Sequence, residues 1–350
     1  MDNPLAQDLD HVLDHTRALW EDVRGERLFI TGGTGFVGTW LTESLLWANR
    51  RLGLEISAFL LTRSPERFRH RSPHLAGDRA VTLLQGDGAS FEFPGGAFPL
   101  VIHAATERWF DPQPGQESGI FDCDLAATRR VLELAKAGGT RRLLFTSSGA
   151  VYGKQPAGLE QIPEDYPGAP STMDPKAAYG QGKRAAEFLC ASYAQVCRFD
   201  SVIARLFAFT GPYLPLDEGY AAGNFLRDIL QGGPIRIAGD GTPYRSYLYA
   251  ADLAIWVWTL LMRGRSAYPY NVGSPEAVTI RELAERMADA IAPGTPVEIA
   301  RQPVEGAPPL RYVPSTERAR VELGLETWVG LEEGIRRSCA WHRRMQAAGC

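Results

Sequence analysis

Cysteine is scarce: five in 350 residues, at 123, 190, 197, 339 and 350, with no CxxC spacing. An odd number without that spacing argues against a disulfide framework and against a metal site, and free thiols in a reducing cytoplasm are the expectation. Long apolar runs are missing as well. None approaches the ~18 residues that span a bilayer, so no membrane partner is expected. The amino terminus, MDNPLAQDLDHVLDHTRALWEDVRG, is acidic and polar and has no leader character. Positive charge is not concentrated either. Net charge is −4 with Lys and Arg scattered, which leaves no surface for a nucleic acid partner. The densest basic cluster, RFRHR at 67–71, reads as a solvated loop.

What remains is an ordinary globular composition, 45% hydrophobic and 22% charged, in a chain long enough to bury a large core. Leu9, Val12, Leu13, Ala18 and Leu19 mark one face of a short helix within an extension over 1–25. From Arg27 onward, apolar runs bounded by Gly or Pro occur at 27–31, 55–61, 80–84, 99–103, 141–147 and 200–206, with another near 268–272. Helix-length segments such as 37–50, 124–137 and 178–196 separate them. That alternation predicts an α/β fold: a doubly wound parallel sheet of Rossmann type over 26–206, rejoined near 250–274. Gly and Pro become frequent after residue 207, which suggests a smaller substrate-binding lobe from 207–249 and 275–345.

Ligands in open α/β sheets bind at the carboxyl ends of the strands, where the strand order reverses. The first strand, RLFIT, runs into GGTGFVG, in which Gly32, Gly35 and Gly38 give G-x-x-G-x-x-G and a helix follows. Glycine suits a tight turn, the approach of a pyrophosphate to backbone N–H groups, and close strand–helix packing. NAD users usually place an acid at the end of the second strand. Here FLLTRSPERF puts Thr62 and Arg63 there; the arginine can accept a 2′-phosphate or stack on adenine, a slight lean toward NADP. Asp87, after the third strand, is placed to accept from the adenine amino group or to serve as a turn aspartate.

Further along, LLFTSSGAVYG ends a strand in hydroxyl residues, and DPKAAYGQGKRAAEFL carries Tyr179 and Lys183 at i and i+4 on one helix face. A free phenol titrates near ~10, too high for proton transfer at neutral pH unless a neighbouring cation lowers it. Lys183 supplies that cation, and Ser148 can hydrogen-bond the oxygen on which the tyrosine acts.

With these elements together the chain resembles the extended short-chain dehydrogenase/reductase family, in its nucleotide-sugar epimerase/dehydratase branch, over roughly 26–340. TGGTGFVG looks like the family's cofactor loop, assigning Gly32, Gly35, Phe36, Val37 and Gly38 to NAD(H) or NADP(H). VIHAA looks like its fourth strand end, adding Ala104 and Ala105. The resemblance makes Ser148, Tyr179 and Lys183 the catalytic triad, with Tyr179 and Lys183 also touching the cofactor. RLFAFTGP and GDGTPYRSYLYAADLA resemble two further family segments, so Arg245, and with it Arg311 in LRYVPS, become ligands of a nucleotide diphosphate sugar. A homodimer through helices 124–137 and 178–196 is implied too.

Three departures accompany the matches. Asp124 stands where the family has a structural asparagine, Ala208 where it has an asparagine that touches the sugar nucleotide, and Ser246 where Asp is commoner. Asn224 is the residue left to supply a polar contact. The family's 4,6-dehydratases place Asp-Glu directly after the catalytic hydroxyl, and a decarboxylating relative keeps a Glu there. In this chain those positions are Gly149 and Ala150, which exchange no protons. An epimerase or 4-ketoreductase is therefore expected, with two alternatives. One is a dehydratase using a surrogate acid such as Glu107, and the other is a non-catalytic NAD(P)-binding regulatory protein.

Overall fold

Runs such as RLFIT and RLLFTSS stay apolar without alternation, as strands covered on both faces must. The computed structural model, which describes residues 3–106 and 115–347, gathers them into one seven-stranded sheet. Its strands are β1 (Arg27–Thr31), β2 (Ser57–Thr62), β3 (Val81–Gln85), β4 (Leu100–His103), β5 (Arg142–Ser148), β6 (Asp200–Leu206) and β7 (Pro269–Val272). The spatial order is β7-β6-β5-β4-β1-β2-β3, and every pairing is parallel. Strand order reverses between β1 and β4, where Thr31 sits beside His103. A crevice at the carboxyl ends of these two strands follows from that topology.

Helices cover both faces: α1 (Ala6–Trp20), α2 (Phe36–Leu52), α3 (Pro65–Arg71), α4 (Glu117–Ala137), α5 (Ala178–Val196) and α6 (Ala250–Arg263). α4 and α5 close one face through Val131, Leu132, Ala186 and Cys190 against Phe29, Val101 and Phe145. α1, α2 and α6 close the other. The α6 sequence AADLAIWVWTLLMR is apolar nearly all round, as a helix buried between layers must be. No helix among the described residues is long and apolar enough to cross a membrane.

One detail of α1 departs from expectation. Ala18 faces solvent, and the buried stripe is Leu9, Val12, Leu13, Thr16, Leu19 and Trp20. The 3.6-residue period carries the stripe through Thr16 rather than Ala18. Burial of Thr16 costs little because its hydroxyl donates to Val12 O at 2.7 Å and accepts from Trp20 Nε1 at 3.0 Å. The helix is also tied down by polar contacts: Tyr249 donates to Asp8 at 2.7 Å and His11 Nε2 meets Asp252 Oδ1 at 2.9 Å.

The residues after β6 form short elements, including a three-stranded sheet of Val278–Thr279, Tyr244–Arg245 and Arg311–Tyr312. Register across its parallel edge sets Tyr312 beside Arg245 and Arg311 beside Tyr244.

Candidate active site

Gly32 has φ +69, and a Cβ there would lie 2.6 Å from the Ala104 carbonyl and the Ala105 nitrogen. A Cβ on Gly38 would lie 2.3 Å from Gly32 O. Only glycine permits this loop to fold under α2. Gly35 caps α2 with no side-chain acceptor, so no cap claims the first N–H groups of the helix, and Gly35 itself lines the crevice. An anion fits such a helix start, and the pyrophosphate of a dinucleotide is one. Phe36, Val37 and Gly38 make the first turn of this helix, with Phe36 buried.

The crevice has a volume of about 360 Å³, and Gly32, Gly35, Arg63, Asp87, Ala104 and Ala105 all line it. Asp87 Oδ1 accepts from Ala89 N at 2.9 Å, which fixes its turn. RFRHR is not a loop, contrary to expectation. Pro65 starts α3 there, and Arg67 and Arg71 join Arg63 on the crevice wall. Pro at a first helical turn and the Arg71 donation to Thr34 O explain why the segment is ordered.

Between β1 and β4, His103 is buried and bonded on both sides. Ala105 N donates to Thr31 Oγ1 at 3.1 Å, leaving that hydroxyl to donate to His103 Nδ1 at 2.7 Å. Thr128 donates to Asp124 O at 2.7 Å, so it accepts from His103 Nε2 at 3.1 Å. The imidazole is thereby fixed neutral with its proton on Nε2. Burial first, and the Lys183 charge second, push its pKa down to about 3.

Ser148 ends β5 and accepts from Ala150 N at 3.1 Å, capping the short turn Gly149–Tyr152. Its buried hydroxyl is therefore a turn former as well as the polar group that ends the strand. Lys183, on α5, is 2% exposed. It donates to Thr146 O at 3.3 Å and lies 3.8 Å from Asp124 Oδ2. Its nitrogen is 4.9 Å from the Phe145 ring centre and 5.8 Å from that of Tyr179. Burial lowers the lysine pKa, and Asp124 opposes the shift. Asp124 also accepts from Thr106 at 3.3 Å, so the carboxylate replaces the expected asparagine with a charge beside the lysine. A tyrosine, a buried cation and a hydroxyl at one strand end can move a proton to or from a bound alcohol.

In the three-stranded sheet, Arg245 donates to Tyr244 O at 2.8 Å, and its guanidinium is 5.6 Å from the Tyr312 ring centre. Arg311 stacks on Tyr244 at 4.2 Å. The Oδ1 of Asn224 is buried with no hydrogen-bond partner among the described residues. Glu107 lies outside the described residues.

Two features escaped sequence reasoning. Arg205 is clamped by Glu187, with Nε to Oε1 at 2.9 Å and Nη2 to Oε2 at 2.7 Å, and donates to the Tyr152 hydroxyl at 2.8 Å. Ser147 donates to the same Glu187 at 2.5 Å, so this pair braces the strand end that carries Ser148. The arginine of RLFAFTGP was its only signal. The second feature is Tyr312, whose hydroxyl sits 3.4 Å from Ser148 Oγ, and a two-residue strand gives no periodicity that would announce it.

Comparison with known proteins fits this geometry. A family model described as the NAD dependent epimerase/dehydratase family matches residues 28–273. UDP-glucuronic acid decarboxylase 3 of Arabidopsis thaliana is 29% identical over 316 residues, 88% of this chain and 86% of the relative. UDP-glucuronic acid decarboxylase 1 of Danio rerio is 28% identical over 325 residues, 91% of this chain and 73% of the relative. Among solved structures, the UDP-glucose 4-epimerase of Thermotoga maritima with UDP-glucose superposes with a TM-score of 0.76 at 18% identity, covering 91% of this chain and 99% of the other. The dTDP-glucose 4,6-dehydratase of Bacillus anthracis in complex with NAD gives 0.75 at 18% identity, covering 92% and 98%. At these identities the structural likeness speaks for the fold alone.

Proposed function

The chain belongs to the NAD-dependent epimerase/dehydratase family, and from that premise we propose that it is an NAD(P)-dependent nucleotide-sugar epimerase or 4-ketoreductase. One observation carries the choice of reaction. The two positions after Ser148 are Gly149 and Ala150, and a Cβ at 149 would already lie 2.7 Å from Phe207 and 2.8 Å from the Tyr312 hydroxyl. No carboxylate stands there to remove water or steer loss of carbon dioxide. Decarboxylase relatives at 28% to 29% identity favour a second reading, decarboxylation of a nucleotide-linked uronic acid. The same missing carboxylate argues against it.

Bound NAD(P) supplies the acceptor and donor of a hydride. The chain's own residues then divide the rest. Tyr179 takes the hydroxyl proton of the sugar as a carbonyl forms, and returns one when the carbonyl is reduced. Lys183, held by Thr146 O and Asp124, stabilises the tyrosine anion and binds the nicotinamide ribose. Ser148 donates to the reacting oxygen. Gly32, Gly35 and the start of α2 take the pyrophosphate, with Phe36, Val37 and Gly38 packed behind, while Ala104 and Ala105 border the nucleotide and Asp87 meets adenine. Arg63, with Arg67 and Arg71, suits a 2′-phosphate, because guanidinium groups bind phosphate by charge-assisted pairs. Arg245 and Arg311 take the diphosphate of the substrate and Asn224 contributes a polar contact.

A homodimer through α4 and α5 is part of the proposal, supported by Phe188 of α5, which is 70% exposed. A reducing cytoplasm is its proposed setting, in keeping with free thiols at Cys123, Cys190, Cys197 and Cys339. The test is turnover of UDP-glucose, UDP-galactose and dTDP-glucose with NAD and with NADPH. Product mass should be unchanged for epimerisation, or raised by two hydrogens when a keto-sugar is supplied with NADPH. Tyr179→Phe should abolish turnover, and a fully active Tyr179→Phe would refute the reading.

A further inference from the structure

Gly149 and Tyr312 come from elements far apart in sequence, yet they fit one another. The phenol reaches the strand end from Arg311–Tyr312, packs its ring 4.6 Å from that of Phe207, and stands 3.4 Å from Ser148 Oγ. The phenol donates to Leu206 O at 3.5 Å, and the Gly149 backbone N–H also hydrogen-bonds it. A Cβ at 149 would lie 2.7 Å from the Phe207 ring and 2.8 Å from this hydroxyl, so the ring and the phenol stacked on it together require glycine there. The space beside Ser148 is therefore occupied by a neutral hydroxyl from the opposite lobe.

Ser148 has one proton to give and already accepts from Ala150 N. If that proton goes to a substrate oxygen, the serine oxygen gains from a second donor behind it, since chained hydroxyls polarise one another. We propose that Tyr312 is a positioning residue for the reaction: when Ser148 gives its proton to the substrate, the Tyr312 hydroxyl moves its own from Leu206 O to Ser148 Oγ, turning Ser148 toward the reacting oxygen, and Gly149 leaves it room. This rests on the function proposed above and extends it to a residue of the substrate lobe. Burial pushes the Tyr312 phenol above its ordinary range, with the Ser148 hydroxyl opposing, so it stays protonated and able to donate. Because Tyr312 pairs with Arg245 in register, closure of the lobe on a diphosphate would set the hydroxyl at the same time.

The experiment is a double-mutant cycle with UDP-glucose and UDP-glucuronic acid as probes and NAD as cofactor. Tyr312→Phe keeps the ring on Phe207 and should lower kcat roughly 3- to 10-fold, the worth of one neutral hydrogen bond, with KM within about 2-fold. In a Ser148→Ala background the same substitution should change kcat by less than about 2-fold, because its effect passes through Ser148. A Tyr312→Phe variant at full rate, or losses that multiply in the Ser148→Ala background, would overturn the inference. Wild-type protein that turns over neither these probes nor the nucleotide sugars named above, with NAD or with NADPH, would instead fail the functional reading. Denaturation midpoints give a readout free of activity: Gly149→Ala should lower the midpoint less in the Tyr312→Phe background than alone. Strictly additive effects would show that Gly149 does not make room for the phenol.

Discussion

Acid should destabilise this protein most strongly through His103, whose pKa burial lowers further than that of His342. Its imidazole is neutral, buried, and satisfied by Thr31 on one side and Thr128 on the other, so a second proton finds no acceptor. The folded pKa is about 3 against 6.5 in the unfolded chain. A histidine with a lowered folded pKa gives its full stability above the unfolded value and loses it as pH falls toward the folded one. That lowering corresponds to about 5 kcal/mol below pH 3, of which about 2 kcal/mol is already lost at pH 5. His103→Gln keeps an acceptor for Thr31 and a donor for Thr128 but cannot titrate. Urea denaturation of both proteins at pH 8 and pH 5 isolates the term. Wild type should lose about 2 kcal/mol more than the variant between the two. Equal losses would refute the neutral, doubly bonded histidine, as would an NMR titration of His103 near its ordinary value.

Other substitutions report on other parts of the site. Arg205→Met strands the Glu187 carboxylate at a position where both side chains are 12% exposed, and should cost about 3–5 kcal/mol by denaturant unfolding. Adding Glu187→Leu should recover much of that loss. Gly38→Ala forces a Cβ to within 2.4 Å of Gly33 Cα and should abolish dinucleotide binding measured by fluorescence. Arg67→Ala with Arg71→Ala should weaken NADPH binding about 10-fold while leaving NADH within about 2-fold, the loss of a charge-assisted phosphate contact. Equal weakening of both would show that these arginines meet only the shared part of the cofactor.

Strands and helices of the main sheet were legible because burial on both faces leaves apolar runs, and glycines at fixed spacing announce a tight turn. The i, i+4 pair of Tyr179 and Lys183 was legible for the same local reason. Tyr312 was not, since its meaning arises from pairing with Arg245 and packing against a turn 164 residues away in sequence. Arg205 resembled any arginine on a strand until Glu187 and Tyr152 closed around it. Basic residues at 67–71 were read for charge alone, and the helix that aims two of them at the crevice depends on tertiary placement. Thr16 shows the converse: a polar residue enters the core when helix geometry supplies both of its hydrogen bonds.

The central claim is redox at one sugar carbon without bond cleavage beyond it. UDP-glucuronic acid tests this most directly, because a carbonyl at C4 lies β to its carboxylate and favours loss of carbon dioxide wherever the site assists it. Incubating the protein with UDP-glucuronic acid and NAD, and weighing the product by mass spectrometry, decides the matter. An isomer of unchanged mass, or recovered substrate beside turnover of a neutral nucleotide sugar, is the predicted result. A UDP-pentose with release of carbon dioxide would contradict it, and would show that a site without a carboxylate at 149 or 150 decarboxylates nonetheless.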